Sequence, residues 1–246
     1  MYELAPDLFV EDSWVRFYGV HLSTRMAVVR LSGDRLFVYS PTFLTPDLKH
    51  DLEELGQVSY VISPNKIHNQ TLVRFLAAFP AARFCAPPGL ALRRPDLRCE
   101  DRLTDRPDPE WSDELDQALT QGNVFFSEAL FLHRASRTLM VGDLVENLDR
   151  HTVASFALVL GRIFGVRKGP APSPEFRLYT FEADEAERAF ERPRSWDFDR
   201  IFLCHGGLIE EDAGAIFDAV CEEILRVARE RNPLALRVLR WLSTVQ

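Results

Sequence analysis

The N-terminal third of the chain alternates short apolar runs with polar breaks. The runs VRFYGV, MAVVRL and RLFVYS are rich in β-branched and aromatic residues, which is typical of β-strands. Between the second and third runs, Ser32-Gly33-Asp34 supplies the small and polar residues of a tight turn. The segment 26–40 therefore predicts a β-hairpin.

The rest of the first half alternates helices with strands. Thr45 fits an N-cap, Pro46 fits the first helical turn, and Gly56 fits a C-cap, so a helix is predicted between them. The strand VSYVIS, the helix NQTLVRFLAAF and the strand ARFCA follow. Such alternation predicts a sheet with helices packed on it.

The second half repeats this alternation. Strands are predicted at 113–122, 128–134, 137–144 and 199–204, with a hairpin turn at Ala135-Ser136. Helices are predicted at 151–165, 182–193, 211–231 and 233–243, and a proline-rich loop at 166–176. No long linker or short repeat interrupts the chain, so we expect one domain over residues 1–246 that ends in helices. The last segment either packs on its own domain or forms a homodimer contact.

Composition narrows the class of partner. The formal net charge of −8 argues against nucleic acid, because binding a phosphate backbone needs a concentrated basic surface. No apolar run approaches the roughly 18 residues that cross a bilayer, and the first residues lack a signal-peptide pattern. The four cysteines are scattered, which is typical of a reducing compartment. We expect a cytoplasmic protein, not bound to membranes, that acts on a small molecule.

Three polar residues follow apolar strands directly. His68 comes after VSYVIS, Asp143 after TLMVG, and His205 after RIFLC. Strand ends of an α/β sheet converge on one edge, so distant residues can meet there. Two imidazoles and a carboxylate are ligands of a catalytic metal. Any one of the three alone is more often part of a local turn.

These elements, in this order, resemble the metallo-β-lactamase superfamily. The segments SPNKIHN, FLHRASRTLMVGDLVEN and CHGG are similar to a divergent, metallo-hydrolase/oxidoreductase-like branch of unknown function found in bacteria and plants. The resemblance covers nearly the whole chain. It implies an α/β fold, a four-layer αββα sandwich with mixed sheets, that binds one or two metal ions.

The superfamily motif T-H-x-H-x-D-H falls on residues 63–69. Its first two histidines correspond to Pro64 and Lys66, its aspartate to His68 and its last histidine to Asn69. Proline cannot bind a metal, and a lysine brings positive charge to the position of a dication. The resemblance therefore implies that most of the first metal site is lost.

The remaining motif positions imply a reduced site. Asn123 replaces a further histidine, Asp143 matches the bridging aspartate, and His205 matches the last histidine. We expect one Zn or Fe ion held by His68, Asp143 and His205, with Asn69 and Asn123 as weak or neighbouring ligands. Lys66 and Asp143 would act in catalysis, Lys66 by stabilising developing negative charge. His133 either lies beside this pocket or bonds a backbone group at the sheet edge.

Three functions fit these residues. The first is a metal-dependent hydrolase-like enzyme with one metal ion that activates water on an unknown small molecule. The second is a metal-free binding or scaffold protein that keeps the fold. The third is a mononuclear non-haem iron oxidase or oxygenase, since two histidines and one carboxylate form its iron site. The sequence contains no P-loop, G-x-S-x-G or G-x-G-x-x-G motif.

Overall fold

A computed structural model describes residues 1–17, 20–99, 101–148 and 168–231. Within them, a seven-stranded sheet is formed in chain order by the first half. Neighbouring strands pair antiparallel among the first four strands and parallel from the fourth to the seventh. These strands are β1 (Tyr2–Ala5), β2 (Leu8–Phe17), β3 (Val20–Leu31), β4 (Arg35–Tyr39), β5 (Gln57–Ile62), β6 (Arg83–Ala86) and β7 (Asp101–Arg102).

The second half contributes two further sheets. Its strands are β8 (Leu115–Leu119), β9 (Ala129–His133), β10 (Thr138–Val141), β11 (Glu146–Leu148), β12 (Gly169–Ala171) and β13 (Arg200–Leu203). A four-stranded sheet has the order β13-β10-β9-β8, with β10 and β13 parallel. The short strands β11 and β12 form an antiparallel pair.

Six helices lie within the described segments. They are α1 (Pro46–Leu55), α2 (Leu72–Ala78), α3 (Leu90–Arg93), α4 (Pro174–Tyr179), α5 (Ala183–Arg194) and α6 (Ala213–Arg229). In α1, the hydroxyl of Thr45 accepts a hydrogen bond from the Leu48 N–H at 3.1 Å, as its sequence predicts. None of these helices is long and apolar enough to span a bilayer.

Most predicted elements are confirmed. However, β3 (Val20–Leu31) is longer than the predicted run 26–31, and the strand predicted at 15–20 contains residues of both β2 and β3. The predicted hairpins are the antiparallel pairs β3–β4 and β9–β10. The loop prediction at 166–176 is wrong in part, because β12 pairs with β11 and α4 begins at Pro174. The predicted helices at 151–165 and 233–243 lie outside the described residues.

The two large sheets pack face to face around an aromatic core. Side chains alternate along a strand, so Phe37 and Tyr39 of β4 point towards the second sheet. Their rings lie 5.0 and 5.7 Å from the ring of Phe131 on β9, both in edge-to-face geometry. Burial of these rings joins the sheets into a sandwich.

Helices cover the outer faces of both sheets. The intervening residues of β4, Leu36 and Val38, pack in an outer cluster that includes Leu48 and Leu52 of α1. On the other side, Leu139 and Val141 of β10 share a cluster with apolar residues of α5 and α6. The result is the four-layer αββα sandwich with mixed sheets expected from the sequence.

The parallel strands decide where polar residues meet. In the first sheet β4 and β5 run parallel, and in the second β10 and β13 run parallel. Their carboxyl ends lead into the segments that carry His68, Asp143 and His205. Both sheets therefore deliver a functional segment to the same edge of the sandwich.

We expect Phe131→Ala to lower the free energy of unfolding by about 3–5 kcal/mol, because the ring is fully buried between the sheets. Urea unfolding followed by tryptophan fluorescence measures the change. Leu92→Ala is the control, since Leu92 is 91% exposed and should change stability by less than about 0.5 kcal/mol. Equal effects of the two variants would contradict this account of the core.

Candidate metal centre

His68, Asp143 and His205 lie together. Nε2 of His68 is 3.1 Å from Oδ2 of Asp143, and Nε2 of His205 is 3.4 Å from Oδ1 of the same carboxylate. The two imidazole rings are 5.1 Å apart between centroids. One ligand atom from each residue lies within 4.8 Å of the other two. The structure thus brings together three side chains that the sequence separates widely.

Hydrogen bonds on the far side of each ring orient the two imidazoles. Nδ1 of His205 donates to the backbone carbonyl of Ser23 at 2.8 Å, which leaves Nε2 of the neutral ring as a lone pair facing Asp143. Nδ1 of His68 is hydrogen bonded to the hydroxyl of Ser40 at 3.0 Å. Support of this kind fixes the orientation of a metal-binding histidine.

Nε2 of His68 is a buried atom without a hydrogen-bond partner in the described structure. Oδ2 of Asp143 lies 3.1 Å away as an ion-pair contact rather than as a hydrogen-bond partner. A buried polar atom in this state costs free energy unless something else binds it. The nitrogen lone pairs and the carboxylate converge on shared space, and a metal ion would satisfy all three.

Asp143 is held by a buried polar network. Both carboxylate oxygens of Glu128 accept backbone N–H groups, from Gly142 at 3.0 Å, Asp143 at 2.6 Å and Leu144 at 3.1 Å. The side-chain amide of Asn65 donates to both acids, at 3.0 Å to Glu128 and 2.7 Å to Asp143. These bonds fix the turn after β10 and aim the Asp143 carboxylate.

Two glycines permit the backbone to approach this closely. A Cβ at Gly142 would lie 2.8 Å from a Glu128 carboxylate oxygen and 2.9 Å from the side chain of Pro64. Gly206, next to His205, has φ +93°, and a Cβ there would lie 2.2 Å from the Asn147 carbonyl oxygen. Any larger residue would displace a segment that carries a site residue.

The charges of the cluster shift one another's pKa values. Burial raises the pKa of Asp143, but attraction to His68 and His205 and the Asn65 hydrogen bond outweigh burial and hold it below its usual range. Burial and the neighbouring Asp143 raise the pKa of Glu128 to about 7. Burial lowers the pKa of His68, and Asp143 more than reverses this. The pKa of His205 is lowered by burial.

The cluster forms the floor of an open cleft. The cleft has a cavity volume of about 80 Å³ and is lined by all three residues. Further lining comes from apolar residues of the β2–β3 ribbon and from the segment that follows β5. Two more acids, Glu146 and Glu175, also line it. The site is therefore buried on one side and accessible to a small molecule on the other.

Sequence comparison shows the family of the chain. The profile of a family described as "Domain of unknown function (DUF4336)" matches residues 9–175, more than half of the chain. The chain belongs to this family. No curated protein matches at a significant level.

Solved structures share the fold at low sequence identity. A putative diflavin flavoprotein A 5 fragment from Nostoc sp. PCC 7120 is 14% identical, with TM-score 0.62 over 93% of this chain and 96% of that chain. The metallo-β-lactamase FIM-1 from Pseudomonas aeruginosa, in a mono-zinc form, is 10% identical, with TM-score 0.59 over 91% and 94%. The Flv1 flavodiiron core from Synechocystis sp. PCC6803 is 13% identical, with TM-score 0.61 over 91% and 60%. The fold is that of metallo-β-lactamases and flavodiiron cores.

In this member of the family, Lys66 and Asn69 make local contacts. The ammonium of Lys66 lies 4.3 Å from the centre of the Phe125 ring, and Lys66 is not among the described residues that line the cleft. Burial lowers its pKa. Asn69 lines the cleft, but its amide donates to the Lys66 carbonyl at 2.8 Å and its side-chain oxygen accepts from Arg94 at 3.2 Å.

The structure does not bring Asn123 or His133 to the cluster. The Asn123 side chain accepts from the N–H groups of Phe125 and Phe126 and donates to the Glu175 carbonyl, so its polar atoms hold a turn. His133 is the last residue of β9, whereas Glu128 directly precedes the first residue of that strand. Its Nδ1 is hydrogen bonded to the Ser136 hydroxyl at 2.7 Å, within the β9–β10 turn, and burial lowers its pKa.

The residues that support the candidate ligands were not predicted from the sequence. Glu128 stands at the start of the EALFLH strand, and Asn65 lies within the strand-end loop. Both are 0% exposed. The sequence did signal Glu128, because its carboxylate directly precedes an apolar strand and a buried acid needs a polar partner. Nothing local in the sequence indicated that the partner is the turn after β10.

We expect Asn65→Asp to destabilise the fold by about 3 kcal/mol or more at pH 8, because it places a third buried carboxylate beside Glu128 and Asp143. The new acid would have a pKa raised above its unfolded value near 3.9. Stability relative to the unsubstituted protein should therefore recover as pH falls from 8 towards 5. Urea unfolding at several pH values measures this.

Gln121→Glu adds the same charge at an exposed position and serves as the control. It should change stability by less than about 0.5 kcal/mol at every pH. A pH-independent loss in Asn65→Asp would contradict the account based on charge and leave only a packing defect.

Proposed function

We propose that the protein is a metal-dependent, hydrolase-like enzyme that holds one metal ion with His68, Asp143 and His205. The observation that carries this proposal is the buried, unpartnered Nε2 of His68, which faces a carboxylate and a second imidazole. The ligand types suit zinc or iron. The open cleft above the three residues leaves access for water and a small-molecule substrate.

One ion is favoured over two. In the part of the chain that the structure describes, only these three residues form a group of potential ligands close enough to share an ion. The first histidine position of the motif holds Pro64, which lies next to Gly142, and the second holds Lys66, which lies over the Phe125 ring. The structurally similar FIM-1 has been captured with a single zinc ion.

The chain prepares the site for hydrolytic chemistry. A bound zinc ion acts as a Lewis acid and lowers the pKa of water from 15.7 to about 7. To bind the metal ion through Nε2, each histidine must carry its proton on Nδ1. His68 then donates this proton to the Ser40 hydroxyl, and His205 donates to the Ser23 carbonyl. Glu128 and Asn65 hold Asp143 in place while substrate enters and leaves.

An iron enzyme that uses O₂ is the second candidate. Two histidines and a carboxylate form the metal site of non-haem iron oxygenases, and two structural neighbours are named a diflavin flavoprotein and a flavodiiron core. Metal analysis after anaerobic purification separates iron from zinc. Consumption of O₂ by the iron-loaded protein supports this second candidate, and its absence favours hydrolysis.

We expect the protein to bind one zinc or iron ion per chain and His68→Ala or His205→Ala to reduce this to near zero. Each variant removes one of three protein ligands. Elemental analysis after reconstitution and dialysis measures the stoichiometry. His50→Ala is the control, because His50 is exposed on α1 and should leave metal content unchanged. Near-zero metal in the unsubstituted protein would instead support a metal-free scaffold.

The catalytic role of Lys66 stays a prediction. If its ammonium stabilises negative charge that develops on the substrate, Lys66→Ala should lower kcat by about tenfold or more and leave metal content unchanged. The distance from Lys66 to Phe125 requires the side chain to move for this role. If Lys66→Ala hydrolyses a substrate with unchanged kcat, Lys66 has no such catalytic role.

A further inference from the structure

The walls of the cleft differ in chemistry. One wall is apolar and includes Val15 and Leu22, which pair across the β2–β3 ribbon, and Phe43, which follows β4. The other contains two half-buried acids, Glu146 at the start of β11 and Glu175 in the first turn of α4. The acidic and the apolar lining residues come from opposite halves of the chain and belong to the same cleft.

Basic side chains do not balance this acidic wall. Among the described residues that line the cleft there are three carboxylates and no lysine or arginine. Two arginines near cleft residues are engaged elsewhere. Arg94 pairs with Asp96, and Arg25 pairs with Asp12 and donates to backbone carbonyls behind His205.

The acids repel one another. Burial, followed by the charges of Asp143, Glu175 and Glu128, raises the pKa of Glu146, and burial and Asp143 raise the pKa of Glu175. A positively charged ligand beside Glu146 and Glu175 would relieve this repulsion. The buried Nε2 of His68, which has no hydrogen bond in the described structure, belongs to the same cleft.

We propose that the substrate is an organic cation, with an ammonium group bound by Glu146 and Glu175 and an apolar group held against Val15, Leu22 and Phe43. This inference rests on the proposed function, because it names the substrate class of the same site. Carboxylate and phosphate substrates would be repelled by the same wall. A carboxylate pair beside an apolar surface is suited to an aryl or alkyl amine.

The test uses 2-phenylethylammonium as the probe and the full-length, metal-loaded protein. Isothermal titration calorimetry compares it with phenylacetate and 2-phenylethanol, which have similar shape but negative or no charge. We expect the ammonium to bind most tightly. Glu146→Gln and Glu175→Gln should each weaken its binding by about tenfold or more, because each removes a charge-assisted hydrogen bond.

Folding and charge are controlled separately. Glutamine is isosteric and neutral, so variants at two acids of raised pKa should melt at or above the temperature of the unsubstituted protein. Glu185→Gln, on an exposed surface of α5, removes the same charge away from the cleft and should leave affinity unchanged.

Repeating the titration after metal removal separates this inference from the proposed function. Ammonium binding that persists without metal and falls in Glu146→Gln supports the cationic site even if no metal ion is needed. Metal binding without ammonium binding would overturn the inference and leave the metal site intact. A loss of a second metal ion in Glu146→Gln would also overturn it, because the acids would then bind metal instead. If phenylacetate binds as tightly as 2-phenylethylammonium, the inference is also overturned.

Discussion

The carboxylate of Asp143, buried between two imidazoles, is the interaction on which this structure depends. A buried carboxylate needs hydrogen bonds or opposite charges to offset its loss of hydration. Here the Asn65 amide donates to Asp143, both imidazoles lie beside it, and Glu128 accepts from the backbone of its turn. The network costs stability, because it places Glu128 beside Asp143 and leaves one imidazole nitrogen without a hydrogen bond. Groups kept at such a cost are typical of functional sites rather than of cores.

The sandwich makes that arrangement possible. The aromatic core of Phe37, Tyr39 and Phe131 fixes the two sheets face to face, so strand ends from both sheets share one edge. His68 comes from the first sheet, and Asp143 and His205 come from the second. A site assembled across two sheets is precise only if the sheets cannot slide. Stability of the inter-sheet core and geometry of the site are therefore linked.

Local sequence patterns predicted many of the strands and helices, because turns, caps and residue periodicity depend on neighbouring residues. The hairpins β3–β4 and β9–β10 and the helix α1 follow from residue periodicity, turn residues and capping. The ribbon of β11 and β12 was not predicted, since three-residue strands are too short for a periodic signal and β12 also contains glycine and proline. Their pairing depends on neighbours supplied by the tertiary structure. Family resemblance added the layer order, which periodicity alone does not give.

By itself the sequence determined most of the strands, the longer helices that the structure describes in both halves, and the strand-end positions of His68, Asp143 and His205, because these depend on residues close together in the chain. Only the tertiary structure decided which polar groups meet. It placed Glu128 and Asn65 around Asp143, directed Lys66 to Phe125, and set His133 at the far end of β9. A contact such as that between Asn65 and Asp143, 78 positions apart, depends on how the sheets pack, and no short stretch of sequence encodes that packing.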